Sequence, residues 1–235
     1  MTVTVATSTD LDWILALLAR RRRSLVEYAP LFWQPAPDAR NNHRAFLDHL
    51  LTEGGARAYR TDQSVLIATP RGAGWLVDDA HIDTQPWAPG DGRDLWNAFA
   101  ADCHGSEVRF VCPAYEPVRA DFARGAGLTC AESWWLAELT DSGGGRAGAQ
   151  ITVPGADAIT VAAPPVYAPP GPVLFLPAPT DVTLALPAAL TTARELGCAA
   201  VVVNVPHGDD DSAGSLMNAG FRRHCDYFTG TVHSI

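Results

Sequence analysis

A pattern that occurs twice constrains this chain more than any single motif. Residues 108–128 read VRFVCPAYEPVRADFARGAGL and residues 201–221 read VVVNVPHGDDDSAGSLMNAGF. Pro113 aligns with Pro206 and Gly127 with Gly220, each pair 93 residues apart with no gap between. Each copy runs as a short apolar strand, a Pro, an acidic turn, one helix, then Ala-Gly and a large apolar residue. Each continues into an aromatic-rich strand, where Trp134-Trp135 answers Tyr227-Phe228. A repeated supersecondary unit predicts an internally repeated architecture, with two unrelated strand–helix–strand pieces as the plainer alternative.

A length of 235 residues allows one large domain or two small ones. Apolar residues make up 47% and charged residues 18%, enough for an ordinary buried core with a thinly charged surface. No apolar run approaches the roughly 18 residues a membrane span needs, and the opening MTVTVATSTD has neither the basic flank nor the apolar core of a signal peptide. The net charge of −9, carried on the basic side by Arg alone, argues against nonspecific nucleic-acid binding. Cys103, Cys112, Cys130, Cys198 and Cys225 are odd in number and contain no CxxC, so free thiols in a cytoplasmic setting are expected.

Leu11, Ile14, Leu15, Leu18 and Leu25 recur at helical spacing, predicting a helix over 10–27 capped from Ser8 to Asp10. Arg20 to Arg23 read as its solvated end. The Pro-broken, aromatic stretch 28–37 precedes a second helix over 38–51. Strands are expected at 56–59, 64–69 and 74–82, a helix at 93–103, and then the first repeat copy to about 139. The Gly-rich segment 141–154 reads as a flexible linker. Residues 155–235 follow with strands near 159–162 and 173–176, a helix at 184–196 and the second copy. The expected organisation is therefore a fuller domain at 1–140 and a truncated one at 155–235, each α/β (α+β) with a mixed sheet.

The segment from Gly74 carries the chemistry. A strand leads through TQPW into Ala88-Pro89-Gly90-Asp91-Gly92-Arg93 and then a helix. Free N–H groups of a first helical turn attract anions, and Gly lets a phosphate approach the backbone. A turn capped by Asp91 or Asp94 is the alternative. With its surroundings, the stretch 10–139 resembles the GNAT superfamily of acyl-CoA-dependent N-acyltransferases. In that family a strand leads into Arg/Gln-x-x-Gly-x-Gly/Ala, where backbone amides hold the CoA pyrophosphate. Gly90 and Gly92 match the two small positions, and Leu95-Trp96 match the apolar pair that follows. Ile82 matches the apolar position five before the Arg/Gln, and Trp87 stands where the Arg/Gln would be. Pro89 brings no amide and Asp91 brings a negative charge. The resemblance assigns Ile82, Trp87, Gly90, Asp91, Gly92 and Arg93 to cofactor binding, with acetyl-CoA as acyl donor and no metal. The tyrosine that protonates the leaving thiolate in many members would stand four residues before Gly127 or Gly220. Those positions hold Ala123 and Leu216. In the second unit the phosphate turn has become Ala178 to Asp181, without glycine, so no CoA site is expected there.

The acceptor amine needs a base. On the strand before the turn, simple alternation puts Asp79, His81 and Asp83 on one face and Asp78, Ala80 and Ile82 on the other. Asp79 and His81 are the candidate bases, and Tyr115 or Glu116 are alternative acids. The link from Tyr28 to Trp33 could form a lid over an apolar amine. Residues His207 to Asp211 do not have the spacing of a Ca loop, and Asp209 to Asp211 read as a helix cap. Two functions stay open. One is an N-acetyltransferase acting on a small amine, with no nucleic-acid or membrane partner and room for a homodimer. The other is a GNAT-derived module that binds CoA or serves association without catalysis. A nucleotide-binding βαβ protein fits poorly, because no GxGxxG occurs.

Overall fold

The computed structural model describes residues 2–82, 87 and 90–235. Thr7 opens the first helical segment with a reciprocal capping box to Asp10. In chain order follow strand β1 (Thr4–Val5), helices α1 (Leu11–Val26) and α2 (Ala39–Thr52), and strands β2 (Arg57–Arg60), β3 (Ser64–Arg71) and β4 (Gly74–Ile82). Next come α3 (Asp91–Cys103), β5 (Glu107–Pro113), α4 (Pro117–Gly125) and β6 (Thr129–Glu138). The chain continues through β7 (Gln150–Val153), β8 (Ala156–Val161), β9 (Val173–Leu176), α5 (Val182–Glu195), β10 (Ala200–Pro206), α6 (Asp210–Asn218) and β11 (Arg222–Thr231).

The repeat is a structural one. Both boundaries of β10, α6 and β11 lie 93 residues after those of β5, α4 and β6. The two helices end alike. Gly127 (φ 79°) and Gly220 (φ 84°) take the left-handed conformation. The N–H of Leu128 then reaches the Ala123 carbonyl at 3.0 Å, and that of Phe221 reaches the Leu216 carbonyl at 2.9 Å. This is the Schellman stop, in which a glycine turns the chain without Cβ strain.

The chain divides into two units that are not the linear pieces 1–140 and 155–235. The first unit holds residues up to Arg23, Arg40–Ala131 and Asp226–Ile235, and the second holds Ser24–Ala39 and Glu132–Cys225. Most of β6 thus belongs to the second unit and most of β11 to the first. Each copy of the repeat gives up its last strand, because a final strand can complete either of two related sheets.

In the first unit the strand order is β1-β2-β3-β4-β5-β11. The pairs from β1 to β4 are antiparallel and β4 pairs with β5 in parallel, so the sheet is mixed. One face meets α1 and α2 through Ile14, Leu15, Leu18 and Leu47 against Val65 and Ile67. The other meets α3 and α4 through Trp96, Phe99 and Phe122 against Val77, Ala80 and Phe110. Burying a large side chain of this kind stabilises by roughly 1.5–3 kcal/mol.

In the second unit the order is β6-β10-β9-β8-β7. Helices α5 and α6 cover one face through Ala185, Ala189 and Leu216 against Leu174, Val201 and Val203. The opposite face carries Leu136, Val173, Ala200 and Val202, and it is covered by Ala29, Phe32 and Trp33 from the link between α1 and α2. Glu138 fixes that link by accepting the N–H groups of Leu31 and Phe32, both at 2.8 Å, and Arg222 at 2.8 Å. The link expected as a lid over a substrate packs instead on this sheet.

Residues 141–154 are not a flexible linker. Gly144 N–H reaches Pro170 O at 2.7 Å, Gly145 N–H reaches Gly197 O at 3.1 Å, and β7 begins at Gln150. A Cβ on Gly145 would stand 1.9 Å from Leu196 O, and one on Gly171 would stand 2.1 Å from Gly197 O. The glycines let three backbone segments cross in contact.

Candidate active site

The site is built around a break in β4. Its register with β3 shifts between Leu66, opposite Ala80, and Ala68, opposite Val77. Asp78 and Asp79 therefore stand opposite Ile67 alone, which is a β-bulge. Val77, Ala80 and Ile82 all point into the core on the α3 side. The bulge overturns the expected alternation: Asp78 does not share a face with Ala80 and Ile82. Pairing of β4 with β5 runs only from Trp75–Val108 to Val77–Phe110. Beyond it, carbonyls of β4 must find other partners.

Arg119 supplies them. Its side chain is fully buried, and it donates from Nη1 to Ala80 O at 3.0 Å and from Nη2 to Asp78 O at 2.9 Å. Its central carbon lies 5.0 Å from the Phe110 ring and 5.3 Å from the Trp87 ring. Glu116 comes within 3.6 Å of Arg119 and 3.4 Å of Arg21.

Charges gather on the α1 and α2 side of this break. Arg22 donates to His43 Nδ1, which leaves the ring proton on Nε2, 3.6 Å from Asp79 Oδ2. Burial alone would raise the Asp79 pKa, but the His43 hydrogen bond, with Arg21 and Arg22, holds it below the usual carboxylate range. Glu116 is likewise held low by Arg21 and then Arg119 against the effect of burial. Asp78 goes the other way. Its side chain is exposed, yet the protein packed around it costs it some hydration, and this and then the Asp79 charge raise its pKa against Arg21 and Arg119. Arg21 is held firmly charged: burial pulls it down, and Glu116, Asp78 and Asp79 more than offset this. His81 is half-buried within electrostatic reach of Glu116.

The start of α3 is the second part of the site. Gly90 adopts φ 154° and ψ −152°, a conformation that glycine almost alone tolerates, and as the N-cap residue it brings no side chain to cap the helix. The Asp91 carboxylate is buried and turned inward, accepting the Thr61 hydroxyl at 2.6 Å and the Ser64 hydroxyl at 2.7 Å. It does not face an anion at the helix end, contrary to what its position in the sequence suggests. Gly92 is required by packing, since a Cβ there would stand 2.4 Å from Trp87 O. Trp87, at the position of the family's Arg/Gln, is buried against Phe122 and Phe110, and Ile82 lies in the same core. Arg93 is exposed and donates to Ile235 O at 3.0 Å. Trp87, Arg93, Val118, Asp121, Phe122, Gly125 and Ile235 line a cleft of about 540 Å³ between α3 and α4. Asp83, Ala88 and Pro89 lie outside the described residues.

The structure thus gathers Asp78, Asp79, His81, Glu116 and Arg119 at the break in β4, with Trp87 reaching from that cluster to the cleft at α3. Asp78 and Arg119 were not singled out from the sequence. A doublet of carboxylates within an otherwise apolar strand was the available sign of a bulge. Arg119 left none, because an Arg near the start of a helix is ordinarily exposed. In the second unit the corresponding turn is closed by Asp181, whose side chain accepts Leu184 N–H at 2.9 Å and caps α5. Asp209 caps α6 through Ser212 N–H at 3.1 Å, as its position before a helix implies.

No protein-family model matches the chain, and no curated protein matches it in sequence. Solved structures do match its fold over nearly its whole length. A protein of Thermoplasma acidophilum assigned as an acetyltransferase aligns with a TM-score of 0.57 at 8% identity, covering 98% of this chain and 100% of its own. A GCN5-related N-acetyltransferase of Sphaerobacter thermophilus aligns at 0.54 and 11% identity, covering 99% and 96%. A protein of Pyrococcus horikoshii, also assigned as an acetyltransferase, aligns at 0.50 and 10% identity, covering 99% and 90%. The fold is that of the GNAT acetyltransferases. Identities this low speak for the fold and leave the chemistry to the site.

Proposed function

We propose that the protein is an acyl-CoA-dependent N-acyltransferase that takes acetyl-CoA as donor and a small amine as acceptor. The observation that carries this reading is the start of α3: a helix end opened by Gly90, with the Asp91 carboxylate turned inward, beside a cleft bordered by Arg93. Such an end attracts a pyrophosphate through its free amides and dipole. The amides of Asp91, Gly92 and Arg93 would hold it, and the Arg93 guanidinium would add charge. The apolar walls of Trp87, Val118 and Phe122 suit the less polar arm. Bound there, acetyl-CoA supplies the thioester. At the β4 bulge, where Arg21, Arg22 and Arg119 balance the carboxylates, the exposed Asp78 is better placed to take a proton from an amine than Asp79, which is held by His43, or the half-buried His81.

Calorimetric titration with acetyl-CoA tests this. We expect micromolar binding that weakens at least tenfold in Arg93→Glu, a change that leaves the packed Gly90 and Gly92 untouched. Absence of binding by the native protein up to millimolar concentration would overturn it. A second reading, a CoA-binding module without catalysis, draws on one observation: Arg119 fills the space where β4 and β5 part. Binding without thiol release across a panel of amines would select that reading.

A further inference from the structure

The far end of α3 and the segment after β11 bring two imidazoles together within the first unit. His104, which closes α3, and His233 are both exposed. Nε2 of His104 and Nδ1 of His233 are 3.3 Å apart, and the ring centroids are 5.0 Å apart at an interplanar angle of 68°. The nitrogens are closer than the centroids, so they stand on the facing edges of the two rings. A hydrogen bond of that length is weak, and exposed rings would find equal partners in water. The separation has another meaning. Two imidazole nitrogens on one tetrahedral zinc ion, each about 2.0–2.1 Å from the metal, stand about 3.3–3.4 Å apart.

The backbones that carry the rings are held in place. Gly105 N–H donates to Val232 O at 3.0 Å, and Val232 N–H donates to Ser106 O at 2.9 Å. Trp96 Nε1–H donates to His233 O at 2.8 Å. Binding an ion would therefore order side-chain torsions and little else, which keeps its entropic cost low.

We propose that His104 and His233 form a site for a divalent ion of the zinc class, bound by Nε2 of His104 and Nδ1 of His233. Imidazole suits zinc, copper and nickel, whereas calcium and magnesium take oxygen. Both rings bind through a nitrogen lone pair, so each carries its proton on the nitrogen turned away from the ion. Exposure leaves the remaining coordination positions to water. The site lies about 20 Å along α3 from Gly90, apart from the helix end assigned to the pyrophosphate. It goes beyond the acyltransferase reading and does not depend on it. The ion would tie the end of α3 to the segment that follows β11, the strand that completes the first sheet.

Calorimetric titration of metal-free protein with zinc chloride tests the site, with no CoA present. We expect submillimolar binding that weakens at least tenfold in His104→Ala and in His233→Ala. NMR spectra of the ring nitrogens of the native protein locate the ion: zinc should shift His104 Nε2 and His233 Nδ1. No binding by the native protein up to millimolar zinc overturns the proposal. So does a loss of less than tenfold in either variant, or a zinc-induced shift at other imidazoles while these two nitrogens stay unchanged. The spectra need no variant, so they decide the matter even where a substitution disturbs folding.

Discussion

Asp78 and Asp79 are neighbours in sequence with the same side chain, and their surroundings push them in opposite directions. Asp79 faces His43, Arg21 and Arg22, whereas Asp78 loses hydration beside a like charge. Carboxylates driven apart in this way take different roles. Asp78→Asn should lower acetyl transfer by roughly 10²–10⁴-fold, the usual range for loss of a general base. Asp79→Asn should act mainly on stability by leaving the Arg22–His43 pair without its anion. A base must be deprotonated to act, so the rate should rise with pH through the Asp78 pKa. That acid limb should lie above the value of about 3.9 for an ordinary Asp. A pH–rate profile for each variant separates the roles. The choice between the two was hidden in the sequence, because strict alternation assigned Asp78 to the wrong face and only the bulge corrects it.

His224 makes a prediction independent of function. It stacks on Trp33 and meets Phe32 edge-on, and burial, then Arg222, lowers its pKa from 6.5 to about 4. The unfolded chain binds this proton more readily than the folded one. Its contribution to stability is therefore complete above pH 6.5 and is lost as pH falls toward 4, on the order of 3 kcal/mol in all. Urea melts of His224→Phe between pH 4 and 7 should show a shallower slope than the native protein. An unchanged slope would assign the acid sensitivity to other groups.

At the scale of elements, glycine marks contacts as well as turns. Gly145→Ala forces a methyl into a main-chain oxygen and should destabilise by about 2 kcal/mol or more, near the upper range for overpacking. Gly214, inside α6, has nothing within 4 Å of its missing Cβ. Gly214→Ala should stabilise by about 0.5–1 kcal/mol through helix propensity. Thermal melts of the two variants should move in opposite directions. The sequence reading took the run of glycines at 141–150 for slack because composition does not distinguish freedom from close approach. The longer elements were legible because their signals are local: apolar spacing in α1, and Gly127 and Gly220 at helix ends. The short β1 and β7 were not, since two residues carry no period and Gln150–Val153 follows directly on a Gly-rich run. The turn at Gly90 was legible through its glycines, while the inward direction of Asp91 depends on Thr61 and Ser64, far away in sequence.

For the whole molecule, the repeat was readable because it kept its spacing, and the division into units was not. A linear cut is natural when a chain reads as one copy after another, but pairing energy does not record which copy a strand came from. Cutting between 140 and 155 leaves the first unit without Asp226–Ile235 and the second without Ser24–Ala39 and residues 132–154, β7 among them. Fragments 1–140 and 155–235, made separately, should each lack a cooperative thermal transition by circular dichroism. A sharp transition in either would show that the linear pieces suffice. No helix among the described residues is long and apolar enough to cross a membrane.

The placement of β11 also imposes an order in time. A ribosome delivers the chain from its N-terminus, so the strand that completes the first sheet beside β5 emerges well after the other strands of that sheet. Between Ala131 and Asp226, translation at about 5–20 residues per second takes about 5–20 s. For that interval the nascent first unit presents an open strand edge, the form in which sheets most readily capture the wrong neighbour. The yield of correctly folded protein should depend on what shields that edge during synthesis.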